Sequence, residues 1–228
     1  MCNEAARRTA LGLMREDFSQ LKIPLRFPEG LPNLGEAPHI RITDTTVIVR
    51  AADGAFEMVQ RRWSWLGPAS ARGPGRPVYN FRSEGRRFEG ASAEFGRGGG
   101  GRCLIPLDGF YEFTDAAPGA KRKDKWLFTL ADTAGPAWTG APDARAATGL
   151  FGVAGLWRGG VDLGKGMTGE AFTMLTCDPG PDIAPYHRRQ IVLIPRASWT
   201  DWLGGVVPAA DLIAPTPAGT LHVARVIS

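Results

Sequence analysis

The chain has 228 residues, 43% hydrophobic and 22% charged, proportions that argue for a folded globular protein and against a disordered one. Its 27 Lys and Arg against 23 Asp and Glu leave a formal charge of +4, and no basic segment leads into an apolar run and no stretch approaches about 18 apolar residues, which excludes a secretory signal and a membrane span as readings. Cys2, Cys103 and Cys177 are odd in number and far apart, which fits free thiols in the reducing cytoplasm, and without CxxC or HxxxH spacing neither a structural metal nor a cofactor is expected.

From Glu4 to Leu21 the apolar residues Leu11, Met14, Phe18 and Leu21 recur at three and four, which predicts one amphipathic helix directly behind Cys2, holding the N-terminus in place. After the Pro-rich turn IPLRFPEGLPNLGEAP the texture changes to β. IRITDTTVIVR, AFEMVQRRWSWLG, GRCLIPLDGFYEFT, KWLFTLA, FGVAGLWR, EAFTMLTC and QIVLIP are short, rich in β-branched and aromatic residues, and separated by Gly, Pro and Asp. RASWTDWLGG reads as a short helix ended by glycine, and LHVARVIS as a last strand. Loops are expected in GPASARGPGRP, EFGRGGGGR and TDAAPGAKRKDK; Gly98 to Gly101 read as a flexible loop, since a phosphate cradle needs a GKS/T ending that is absent. Helical patterns do not alternate with the strands, which argues against a doubly wound parallel sheet. The expected fold is therefore α+β: a single domain over 1–228 of mainly antiparallel or mixed strands with a few flanking helices.

Charge is unevenly placed. Residues 61 to 125 hold 13 Lys and Arg against 7 Asp and Glu, and aromatics are interleaved: Arg61, Arg62, Trp63, Trp65, then Arg82, Arg86, Arg87, Phe88. This is the footprint of a single-strand nucleic-acid binder with stacking surfaces, and equally that of a solvated basic face. Some polar residues stand where strand patterns favour apolar ones. Glu112 lies between Tyr111 and Phe113, and a buried carboxylate there must be paired or have its pKa raised, as suits a general acid or base; the alternation Phe110, Glu112, Thr114 also allows an outward-facing strand residue. In VYNFRSE, Asn80 and Arg82 share one strand parity. His187 precedes an apolar strand and is followed by Arg188 and Arg189; a lone histidine is more often a satisfied loop or core residue than a catalytic one.

Taken together, these residues resemble the SRAP family (SOS response-associated peptidase, the abasic-site processing proteins). The likeness lies in Met-Cys at the start, N-x-R-x-E at Asn80 to Glu84, D-G-aromatic-aromatic-E at Asp108 to Glu112, and a late H-x-R at His187 to Arg189. Departures are Asn3 and Glu4 where Gly-Arg is common, IRITDTT where an N-x-A-P-G type segment is frequent, and Gln190-Ile191 where a proline is common. The resemblance implies a barrel-like fold, a DNA-damage role, a monomer, and single-stranded DNA with abasic sites as partner, in the cytoplasm and on the nucleoid when bound. It implies catalytic Cys2, Asn80, Glu112 and His187, with Arg82, Arg189, Trp65 and Phe113 as DNA contacts.

The chemistry so implied needs an amine and a thiol on one residue. An abasic sugar opens to an aldehyde, an amine converts it to a Schiff base, and a thiol two bonds from that nitrogen closes a thiazolidine. An N-terminal cysteine has both groups, and an α-amine with a reference pKa of about 7.7–8.0 is partly neutral near pH 7. The resemblance makes Glu112 proton acceptor for the amine, His187 proton donor to the sugar oxygen, and Asn80 a positioning group. It implies lyase-type abasic-site chemistry and removal of Met1, by the protein itself or by a general aminopeptidase. Two alternatives remain: an N-terminal-cysteine amidohydrolase or peptidase acting in trans, and a non-catalytic single-strand nucleic-acid-binding domain.

Overall fold

Alternating β-branched and aromatic residues draw most of the chain into strands, and where those strands break decides which sheet each half joins. The structure, a computed structural model, describes residues 2–69, 73, 75–84, 99–116, 122–132, 134–139 and 149–227. In chain order the first elements are β1 (Glu4–Arg7), α1 (Leu11–Gln20), β2 (Leu25–Arg26), β3 (Ala37–Arg41), β4 (Thr45–Ala52) and β5 (Ala55–Trp63). Then come β6 (Trp65–Leu66), β7 (Pro77–Val78), β8 (Asn80–Arg82), β9 (Gly100–Leu107), β10 (Gly109–Thr114), β11 (Asp124–Leu130) and α2 (Pro136–Thr139). The last are β12 (Phe151–Gly164), β13 (Met167–Cys177), β14 (Gln190–Ile191), β15 (Leu193–Ile194), α3 (Trp199–Gly204), α4 (Ala209–Leu212) and β16 (Leu221–Arg225).

Strands β13, β5, β4, β9 and β12 run side by side, and β12 pairs back onto β13, which closes a five-stranded barrel. Closure leaves these strands no free edge. A second sheet, in the order β16-β11-β10-β1-β3, is antiparallel throughout. The parallel pairs β13–β5, β13–β8 and β2–β5 make the fold mixed, as expected. Ala5, Phe110 and Phe128 of the second sheet share one core with Ile48, Ile105, Val153 and Met174 of the barrel, so the sheet is seated on the barrel by apolar contact. The alternate residues of the same barrel strands, among them Val47, Val49, Leu104 and Leu156, meet Met14 and Phe18 of α1 and Trp199 and Trp202 of α3. Burying Met14 and Phe18 contributes about 2 kcal/mol each, which fixes a ten-residue helix too short to persist alone. Helix α3 ends as its glycine predicts: Gly205 takes φ +69°, a left-handed cap that costs other residues strain.

Several expectations are corrected. The helix predicted from Glu4 begins at Leu11: residues Glu4–Arg7 pair on both sides with β10 and β3, and that pairing outweighs their helix propensity. It is thus a strand, and not the helix, that holds the N-terminus. GRCLIPLDGFYEFT is two strands in two sheets, divided at Asp108; IRITDTTVIVR likewise divides between β3 and β4. Gly100 and Gly101 are buried strand residues paired with Arg158 and Trp157, while Gly98 lies outside the described residues.

Asp108 makes the break between the sheets useful. Its Oδ2 accepts the backbone N–H of Arg8 at 2.5 Å and of Thr9 at 2.7 Å, and the Thr9 hydroxyl at 2.9 Å; its own N–H donates to the Ala6 carbonyl at 3.1 Å. One carboxylate therefore ends β1 and ties it to the start of β10. Asp108→Ala strands three donors, and we expect a stability loss of about 1–3 kcal/mol in chemical denaturation together with faster amide exchange at Ala5 and Ala6.

Candidate active site

Cys2 leads into β1 two residues ahead of it, and β1 pairs with β10, which carries Glu112, so the pairing brings the two close. Glu112 shares a face of β10 with Phe110, whose ring lies in the joint core, and is 2% exposed, so it points inward and the outward-facing alternative fails. Burial pushes its carboxyl up to about 7. Cys2 is 1% exposed, and its thiol donates to the Glu4 carbonyl at 3.4 Å. Burial first, and then the Glu112 charge, push that thiol far above the ordinary cysteine range. The Asn80 amide, carried on β8, donates from Nδ2 to the Cys2 carbonyl at 2.7 Å, while its Oδ1 is buried with no partner among the described residues. Cys2, Asn80 and Glu112 therefore meet, from three segments far apart in sequence.

Cys103 and Cys177 are also buried free thiols, with Cys177 pushed up to about 12 by burial. Neither carries an amine.

Glu4 supports the same corner from the opposite face. Its carboxylate lies 2.7 Å from Lys125 Nζ and 2.7 Å from His39 Nδ1; burial raises its pKa, but the two partners outweigh this and hold it below the usual carboxylate range.

His187 is half-buried on the turn before β14. Its Nδ1 lies 2.8 Å from the Arg189 carbonyl and 3.0 Å from the Arg189 N–H, and burial pushes its pKa below the ordinary imidazole value. At neutral pH the ring is uncharged, and in the tautomer whose Nδ1 accepts from Arg189 the proton sits on Nε2.

The expected DNA contacts separate. Arg82 is exposed at the end of β8. Arg189 is not open to a phosphate: its side chain is 11% exposed, Nη1 and Nη2 grip Glu84 at 2.5 and 2.9 Å, and Nη2 also donates to the Thr176 carbonyl at 2.8 Å. Trp65 is 8% exposed and packs with Val161 and Ala171, so its ring is core and not a stacking surface; Trp63 is fully buried and donates from Nε1 to the Tyr79 carbonyl. Arg61 is likewise spent on Glu29 and Glu170. Phe113 is half-buried but, one residue from Glu112, lies on the other face of β10, lining a cleft of about 660 Å³ with Arg122, Lys123, Lys125 and Arg225. Arg86, Arg87 and Phe88 lie outside the described residues.

Sequence reasoning missed Trp126 and Tyr186. Trp126 is the register partner of Glu112 on β11, and its ring lies 4.7 Å from that of Tyr186, the residue before His187. The aromatic beside His187 was visible; the β10–β11 register, which brings Trp126 to Glu112, was not. Among the described residues no three His, Cys, Asp or Glu side chains cluster as a metal site, and no helix is long and apolar enough to cross a membrane.

A family model described as SOS response associated peptidase (SRAP) matches residues 1–228. No curated protein matches in sequence. Solved structures do: a Bordetella bronchiseptica protein is similar over 100% of both chains at 22% identity and TM-score 0.67. A phage-related protein of the same organism gives 20% identity and TM-score 0.67 over 100% of this chain and 95% of its own. A Bacteroides thetaiotaomicron protein gives 16% and 0.66 over 99% and 92%. These likenesses establish a shared fold.

The raised Glu112 pKa has a measurable sign. Below about 4.5, its ordinary value, the group is protonated whether folded or not; from there to about 7 only the folded state keeps the proton, so the wild type loses stability as pH rises, by at most about 1.4 kcal/mol per pH unit. Glu112→Gln lacks this term. Its melting temperature relative to wild type should therefore climb between pH 4.5 and 7 and level off above, as thermal scans across that range would register.

Proposed function

Because this chain belongs to the SOS response associated peptidase (SRAP) family over its whole length, we propose that it captures abasic sites in single-stranded DNA as a thiazolidine on Cys2, once Met1 has been removed. The observation that carries this reading is the convergence on Cys2: Asn80 holds its carbonyl, and a buried carboxyl with a pKa of about 7 sits beside it. A general base poised near the working pH is the kind that proton transfer favours.

Hydrolysis of the Met1–Cys2 peptide bond first frees the amine, with water supplying hydroxyl to the Met1 carbonyl and hydrogen to nitrogen. The amine adds to the aldehyde carbon of the opened sugar, Glu112 takes a proton from the nitrogen and hands it to the departing hydroxyl, and loss of water leaves the imine. Cys2 Sγ then bonds to the same carbon while the thiol proton passes to nitrogen. In the tautomer with its proton on Nε2, His187 gives that proton to the ring oxygen as the sugar opens, and the anomeric hydroxyl gives up its own, so the aldehyde forms with no net change in protons. Asn80 keeps the Cys2 backbone still, and Arg82 holds a flanking phosphate.

The order of these steps follows from electrostatics. A thiol hydrolase needs a thiolate, hence a lowered pKa, whereas burial and the Glu112 charge both push Cys2 upward. A neutral thiol suits ring closure after the amine has reacted, and disfavours the peptidase in trans.

The test is a denaturing gel of purified protein with an abasic single strand. Cys2→Ala abolishes the heat-stable adduct, while Cys103→Ala and Cys177→Ala retain it. An unprocessable extension ahead of Cys2, which keeps the thiol but turns the amine into an amide, abolishes it as well. Equal yields from extended and mature protein would overturn the amine mechanism, even with Cys2 essential.

The two arginines should part company. Arg82→Ala lowers the salt slope of single-strand affinity by about 0.7, the value for one phosphate contact. Arg189→Ala breaks the Glu84 and Thr176 bonds and lowers the melting temperature by several degrees.

A further inference from the structure

An abasic nucleotide has no base to stack, so its sugar can be placed only through its neighbours. The aromatics expected to receive those neighbours do not lie on the face that bears the site: Trp65 is in the core, and Phe113 is on the far side of β10. We propose that Trp126 and Tyr186 form the shelf on which the base next to the abasic sugar stacks, a reading that rests on the abasic-site function above.

Four observations carry it. Trp126 faces Glu112 in the β10–β11 register, and such cross-strand partners stand side by side on one sheet face with Cβ atoms about 4.5–5.5 Å apart. Tyr186 precedes His187, and its ring meets Trp126 at 4.7 Å and 58° and stands edge-on to Phe128 at 5.4 Å. The two rings therefore bridge the strand neighbour of the buried carboxyl and the turn of the histidine. Both are half-buried, packed against the joint core but not enclosed by it, where Trp63, Trp199 and Trp202 are fully buried. Finally, the Trp126 Nε1–H donates to Thr114 Oγ1 at 2.9 Å, which fixes the indole plane and spends its one donor. What remains is a rigid π-surface that reads no base edge, as suits a lesion that arises at any sequence.

The partner is thus a single strand carrying a purine or pyrimidine directly beside the missing base. Stacking on one aromatic strengthens binding by roughly 5- to 150-fold. The test is a cycle between ring and base. Mature wild type, Trp126→Ala, Trp126→Phe and Tyr186→Leu are titrated against three strands bearing a tetrahydrofuran abasic analogue: one with both neighbouring bases, one lacking the 5′ neighbour, one lacking the 3′ neighbour. Removing one of these bases should weaken the wild type by a factor in that range and leave Trp126→Ala almost unaffected, with Trp126→Phe between. If base removal costs wild type and Trp126→Ala the same on both sides, or if Trp126→Ala binds the full strand like wild type, the shelf is refuted. Thermal melting checks folding; should Trp126→Ala fail to fold, Trp126→Phe and Tyr186→Leu carry the cycle with the same two outcomes. Adduct formation by the wild type on a true abasic strand is scored in parallel. An adduct without coupling sinks the shelf alone, and coupling without an adduct sinks the thiazolidine reading alone.

Discussion

Everything in this site depends on the carboxylate of Asp108. It ends a barrel strand, turns the chain into the second sheet, and in the same place accepts the donors that close β1. Without that clamp the four residues of β1 would have only short pairings with β10 and β3 to hold them, and so short a strand frays readily. Gly109 belongs to the same device. A Cβ there would lie 3.0 Å from Leu127 Cδ1 and 3.4 Å from Ala6 Cβ, so a side chain at this position would wedge β1 and β10 apart. Packing of Ala5 against Phe110 and the barrel core then carries the order of the interior out to Cys2.

Rigidity of the backbone allows the site to keep two uncomfortable groups together. The Glu112 charge raises the thiol's cost of ionisation, and burial raises that of both groups. The arrangement is unfavourable to stability; in the proposed chemistry it would keep a proton acceptor near neutral pH and a thiol protonated until ring closure. The opposite treatment of Glu4 shows that environment and not residue type decides. With Lys125 and His39 in contact, that carboxylate is held in its charged form one strand away.

Part of the positive charge among the described residues is paired with the chain's own carboxylates. Arg50 is bound to Glu57 and Glu170 and lies 4.0 Å over the Trp157 ring, Arg61 joins the same network, Arg196 holds Asp17, and Arg189 holds Glu84. Such pairs tie neighbouring elements together and take these arginines out of reach of a polyanion. In the proposed reading, affinity for a strand draws on exposed cations such as Arg82 and on stacking, and not on the arginines held in these pairs.

How much of this was legible in the sequence follows from the range of the forces involved. The strand-rich texture, the glycine-capped helix before Gly205, and the tension of a glutamate between Tyr111 and Phe113 are local features, set by side-chain shape and burial preference, and they stand in the structure much as the sequence implies. The aminothiol option of Cys2 is likewise written in its position. The rest is decided by partners that no local pattern reveals, several of them about a hundred residues away. Glu4–Arg7 is a strand because β10 and β3 flank it, Arg189 is closed because Glu84 reaches it, Trp65 is core because Val161 and Ala171 cover it, and Trp126 stands at the site because its register falls on Glu112. A period of two says that a residue alternates but not which side the core will take, and a charge count says nothing of which charges have already found each other. Pairing register and ion-pair geometry are properties of the folded chain, and in this protein they separate the residues that build the site from those that only resemble it.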